Sequence, residues 1–146
     1  MATLTLAAAS IIVDTALAEA RARGYRPLTV AVLDAGGHLV ALKREDKSSL
    51  LRPQIAAAKA WGVLGMGFGG RELERRAQKA PAFFSALTEL ADGRMVPVAG
   101  GVLIRNTGGD IIGSVGISGD TSANDELCAV AGIKAAGLLP DTGDPL

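Results

Sequence analysis

The sequence predicts an α/β domain of the α+β kind, with an antiparallel sheet covered by helices. Two hairpin-like segments carry that expectation. Leu28–Leu33 and Leu39–Lys43 flank Asp34-Ala-Gly-Gly-His38, and Val102–Arg105 and Ile111–Ile117 flank Asn106-Thr-Gly-Gly-Asp110. Apolar, β-branched runs joined by short glycine turns pair antiparallel. The stretches around them carry helical periodicity, and such helices must bury their apolar stripes against the sheet.

Taken in order, Ala7–Arg23 reads as an amphipathic helix with Ile12, Ala16 and Ala20 on one stripe and Gly24 as its stop. The first hairpin follows. Ser48 or Ser49 caps the next helix, Pro53 sits in its first turn, and it runs to about Leu64, ahead of a glycine-rich stretch. Glu72–Gln78 is a charged helix and Pro81–Leu90 another short one, with Ala91–Arg94 as a loop. Met95–Val98 is expected as an edge strand, since Pro97 has no N–H for a ladder. After the second hairpin, Ser122 and Asp125 form a capping-box-like start to a helix over Ala123–Ala136, ended by Gly137. Pro140–Leu146 is expected to fray. No internal repeat or linker divides residues 1–146, so one domain is expected.

The helix after the first hairpin is apolar nearly all round: Ile55, Ala56, Gly62, Val63 and Met66 on one face, Ala57, Ala58, Trp61 and Leu64 on the other. A helix of that kind is covered on most sides. In 146 residues the extra cover is expected from a neighbouring subunit, which makes the chain a homo-oligomer.

Composition narrows the function. Fifteen basic residues balance fifteen acidic ones and aromatics are only 3%, which argues against a nucleic-acid partner. The single cysteine excludes an internal disulfide and a cysteine-rich zinc site, and no metal site is expected. Ala2–Ala20 is apolar enough to raise a cleaved secretory signal, but it lacks a basic start and Asp14 interrupts it; an amphipathic helix and a cytoplasmic protein are the better reading. No run of about 18 uncharged apolar residues suggests a membrane span.

Four segments, in order along almost the whole chain, carry a family resemblance. Val30–Ala41, with its Asp-Ala-Gly-Gly-His turn, resembles the hairpin motif of the GlcG/HbpS family, the haem-degrading family whose fold also forms the carboxy-terminal domain of PduO-type proteins. Ile55–Ala60 resembles its long helix after the hairpin. Pro97–Val102 resembles its glycine-pair loop, and Gly113–Asp120 followed by Asp125-Glu126 resembles its last strand and helix start. The resemblance implies a profilin-like three-layer α/β/α arrangement with a five-stranded antiparallel sheet. It also implies assembly, from dimers to octamers, and haem or another tetrapyrrole as ligand. His38 is the sole histidine; Met66, Met95, Tyr25, Cys128 and Lys59 are the other possible iron ligands, and none has a recognisable haem spacing.

Lys59 is the most informative candidate residue. It shares a helical stripe with Ile55, Ala56, Gly62 and Val63, where an ammonium must be paired or face a ligand. It is either a snorkelling or ion-paired lysine, with Asp125 or Glu126 as partner, or an anchor or base for an anionic small molecule. Arg52, two turns earlier, either joins it at one anion or is a solvated helix-start arginine. Gly100-Gly101 is either a sheet bulge or a cradle of N–H groups for an oxyanion. Arg44 is a surface charge or a carboxylate clamp, and His38 an idle turn residue or a ligand. Asp125 or Glu126 is a helix-capping charge or a proton-transfer group. Trp61 and Met66 read as interface or core, and Cys128 as buried and inert.

Two functional readings follow. The first is an oligomeric small-ligand-binding protein, with haem as the ligand implied by the resemblance. The second is a cofactor-independent enzyme, an isomerase, tautomerase or dehydratase, that handles a small oxo- or hydroxy-acid in a pocket between subunits with Lys59, a carboxylate and Gly100-Gly101.

Overall fold

A computed structural model describes residues 3–145; Ala2 and Leu146, the outer ends of the two terminal expectations above, lie outside the described residues. Among the described residues, five helices and five strands follow one another as α1 (Leu6–Arg23), β1 (Thr29–Asp34), β2 (Leu39–Arg44), α2 (Arg52–Met66), α3 (Gly70–Lys79), α4 (Pro81–Leu90), β3 (Gly101–Arg105), β4 (Ile111–Ser118), α5 (Ser122–Ala135) and β5 (Leu139–Asp141). The strands form one open sheet in the order β2-β1-β4-β3-β5, with every pairing antiparallel. Helices α1 and α5 cover one face and α2 the other, which gives the three-layer α/β/α arrangement.

Side-chain alternation assigns the faces. Val30, Val32, Val102, Ile104, Val115 and Ile117 point towards α1 and α5, where they meet Ile12, Val13, Cys128 and Ile133 in the larger core. The opposite face carries Leu33 and Leu103 but is built from smaller groups where α2 crosses it. A Cβ on Gly116 would lie 1.9 Å from the carbonyl oxygen of Ala56, and one on Gly101 would lie 2.5 Å from that of Lys59. The α2 backbone therefore rests directly on β3 and β4, and only glycine permits the approach. Ser114 Oγ adds a buried hydrogen bond to the Ala60 carbonyl, 2.7 Å away.

Several expectations need correcting. Met95–Val98 is not an edge strand; it is a loop, and Met95 packs against Gly62 of α2. The fifth strand is β5, which overlaps the start of the segment expected to fray. It pairs with β3 from Leu103↔Asp141 to Arg105↔Leu139, and the next residue, Thr142, accepts a hydrogen bond from the Arg71 N–H at 3.0 Å. Polar residues and Pro140 hid a strand that needs only three residues to close an edge. Neither Ser48 nor Ser49 caps α2. Leu51 occupies that position, and Ser48 instead shares a buried hydrogen bond with Thr29. The cap of α5 is Thr121, whose hydroxyl accepts from the Asn124 N–H, one residue before the expected Ser122.

The cover of α2 also differs from expectation. The sheet shields one side. On the other, Val63 meets Leu73, Phe84, Ala91 and Met95, with Trp61, Leu64, Met66 and Leu87 around them. The arm formed by α3, α4 and the Met95 loop thus supplies within the chain much of the shelter expected from a neighbour.

Candidate functional site

Two places concentrate the candidate residues, at opposite ends of the sheet. At the Ser118 end, Lys59 projects from α2 past the end of β4. Its Nζ donates to the Ile117 carbonyl at 2.8 Å and to Asp125 Oδ2 at 3.3 Å, and the residue is 4% exposed. Burial pulls the ammonium below its usual pKa, and Asp125 only partly offsets that pull. Burial likewise pushes the Asp125 carboxyl up, against Lys59 and the Asp120 N–H bonded to its Oδ1. Each charge thus partly offsets the cost of burying the other. Gly100 closes the group: at φ +107, a Cβ on it would sit 2.8 Å from the Lys59 Nζ. The glycine pair is thus the wall against which the lysine lies. Arg52 reaches the same end, donating from Nη1 to Ser118 Oγ at 3.0 Å.

Glu126, the neighbour of Asp125, takes a different cation. Arg71 Nε donates to both its carboxylate oxygens at 2.9 Å. Burial raises the Glu126 pKa, and Arg71 opposes the shift. The sequence reading missed Arg71 because it lies in a charged helix start, where solvation is the default. Arg44 falls at this end of the sheet as well, through its pairing with Thr29, whose other partner is Ser118. It stands two strands from Ser118, about 10 Å at ordinary strand spacing, and is exposed.

His38 is at the other end, in the β1–β2 turn, so the structure does not bring it to Lys59. Its side chain is 81% exposed, with Nδ1 3.1 Å from Asp34 Oδ1. Asp34 also accepts the backbone N–H groups of His38 and Gly36, and these bonds hold its carboxyl below the usual carboxylate range. A cavity of about 550 Å³ opens beside the turn, lined by Leu4, Ala35, His38, Ile111 and Ile112 among others. A carboxylate that anchors Nδ1 fixes the tautomer and leaves Nε2 as the electron-pair donor, the arrangement that prepares a histidine for a metal. The residues present therefore fit an iron-bearing planar ligand: one oriented imidazole next to a largely apolar cavity. Asp34 was the sequence signal for this. As the first residue of a glycine turn it passed as turn chemistry alone.

Among the described residues, no three His, Cys, Asp or Glu side chains gather into a metal cluster, and no helix is long and apolar enough to cross a membrane.

Comparison with known proteins agrees with this architecture. Residues 4–134 match the family model described as haem degrading protein HbpS-like. A curated relative from Citrobacter freundii, an uncharacterised 15.0 kDa protein of the dhaT-dhaS intergenic region, is 29% identical over 88% of this chain and 89% of its own length. The corrinoid adenosyltransferase PduO of Salmonella typhimurium is 29% identical over 75% of this chain, which spans only 32% of that enzyme. Among solved structures, a PduOC complex with haem superposes with a TM-score of 0.85 at 25% identity, over 98% of this chain and all of the other. HbpS superposes at 0.78 with 27% identity, over 92% of this chain and 90% of its own. A match from Leu4 through Lys134 spans α1 to the last turn of α5, so the chain belongs to the HbpS-like, haem-degrading family.

Proposed function

We propose that this chain is a small-ligand-binding protein that takes haem at the turn end of its sheet, with His38 Nε2 as the iron ligand. One observation carries the reading: the only imidazole in the chain is held through Nδ1 by a carboxylate of depressed pKa, beside an apolar cavity. The family match and the haem complex of a structural relative support the choice of ligand. Haem, if bound, would supply an iron centre for binding or redox chemistry, which His38 Nε2 would hold. The chain's own part is to orient the imidazole, through Asp34, and to cover the macrocycle with Leu4, Ile111 and Ile112. Hemin titrated into the purified protein is expected to give a shifted Soret band that His38→Ala abolishes and Asp34→Asn weakens by about 10-fold or more. An unshifted band, or an unaltered one in His38→Ala, overturns the assignment.

The proposal includes self-association, since Leu50, Leu51 and Leu90 are large apolar groups left exposed. A monomeric mass at micromolar concentration counts against that part. Acid chemistry at Lys59 is the second reading, and the buried Lys59–Asp125 pair favours it because active sites collect such pairs. It ranks second because Nζ is already engaged by two protein oxygens. Unchanged turnover of a small oxo- or hydroxy-acid in folded Lys59→Ala would remove it.

A further inference from the structure

A second cavity adjoins the His38 turn at Gly37 but opens towards α2. It measures about 430 Å³ and lies on the α2 face, beneath the edge hairpin, with Leu33, Leu39, Leu42 and Ala58 as its apolar surface. That volume falls in the range of small-molecule sites. Leu39 is 58% exposed there, on the strand that ends the sheet, so an apolar floor is open to solvent.

The polar groups around this floor are few and specific. Trp61 forms a wall, and the Arg94 guanidinium lies over its ring, 4.3 Å from the centroid. Arg94 Nε donates to the Ala91 carbonyl at 2.8 Å, which fixes the orientation of the fork. Its terminal N–H groups form no ion pair among the described residues, although Asp92 lines the same cavity. A fixed, uncompensated guanidinium beside an apolar floor is suited to a carboxylate on an apolar body. Asp92 disfavours a second negative charge.

We infer that this cavity binds a small monocarboxylate with a flat apolar body, its ring against Trp61 and the leucine floor and its carboxylate on Arg94. The site touches the turn only at Gly37, does not include the His38 side chain, and needs no haem.

Trp61 is the only tryptophan and lines this cavity, so its emission responds to a ligand there, and the Arg94 and Asp92 variants tie the response to this cavity. Titration of the haem-free full chain with 3-phenylpropionate is expected to change that emission with a Kd on the order of 1 mM, as ligand size allows. Arg94→Gln should weaken binding about three- to tenfold, a figure discounted for the exposure of the arginine. The neutral 3-phenylpropionamide should lose a similar factor, while Asp92→Asn should tighten the acid. His38→Ala should bind it unchanged, which separates this site from the haem reading. A flat titration to about 10 mM overturns the inference. So does equal binding by the amide, or by Arg94→Gln. A protein-concentration-dependent emission change that tracks self-association, with no response to the acid, gives the cavity to a second copy and overturns it too.

Discussion

The two faces of the sheet solve the same packing problem with opposite materials. Towards α1 and α5 the sheet presents valine and isoleucine, and the helices answer with aliphatic side chains. Towards α2 it presents Gly101, Gly116, Ser114 and Ser118 between Leu33 and Leu103, so at the glycines the helix backbone itself is the packing surface, and a lysine and an aspartate are sealed at its edge. The first face gains stability in proportion to apolar area removed from water. The second depends on close fit and paired charge, where one misplaced atom costs more than one lost methyl. The contrast shows that a buried charge pair here accompanies a tight backbone seat, and that both fall on the α2 layer, away from the cavity beside His38.

Breaking the charged side should have the largest effect. Lys59→Met leaves Asp125 buried without its cation and is expected to cost about 3–5 kcal/mol in urea unfolding. Lys59→Met with Asp125→Leu should recover much of that; a single variant that costs under about 1 kcal/mol would erase the distinction between the faces. Gly116→Ala comes next, at about 1–3 kcal/mol or more, because its Cβ would meet the Ala56 carbonyl. Its neighbour Ile117, on the aliphatic face, should lose only about 0.5–1.5 kcal/mol as Ile117→Val. If these two rank in reverse, the close helix seat is not what the α2 face relies on.

Acidity sharpens the same comparison. The Asp125 pKa is raised above 3.8, so between the two values the folded chain binds more protons and stability falls as pH climbs. The Lys59 pKa is lowered from 10.5, so below that value the unfolded chain binds more protons and stability rises with pH. Wild-type stability minus that of the Lys59→Met/Asp125→Leu variant should therefore decline above pH 3.8 and recover towards pH 10.5. A flat difference would show that the pair is not desolvated. The smallest effect concerns Cys128, on the aliphatic side, where burial pushes the thiol up to about 12. Iodoacetamide at about pH 8 should leave it unmodified in the native chain and label it on unfolding.

The aliphatic face was the more legible in the sequence, because alternating β-branched residues announce strands and an i, i+4 apolar stripe announces α1. Lys59 was legible as well. A cation on an apolar stripe demands a partner, and Asp125 was one of the two carboxylates named for it. What remained hidden depended on contacts between distant segments. Leu139–Asp141 carries no strand pattern until β3 offers it an edge, and Arg71 looks solvated until α5 brings Glu126 to it. Asp34 and His38 read as an ordinary turn, since spacing does not show that the carboxylate would hold the ring. Polar and partner-dependent features were thus the ones that local pattern could not reveal.

The pairing of β1 with β4 has a kinetic consequence. Thr29 through Asp34 meet partners about 80 to 90 residues further along the chain, so the hairpin of β1 and β2 waits with one long, β-branched edge unmatched. Closing so large a loop slows assembly relative to a protein of local contacts, and during that interval the bare edge can recruit the wrong strand from another molecule. Crowded or rapid expression should therefore harm the yield of this protein through its first hairpin, before either ligand site has formed.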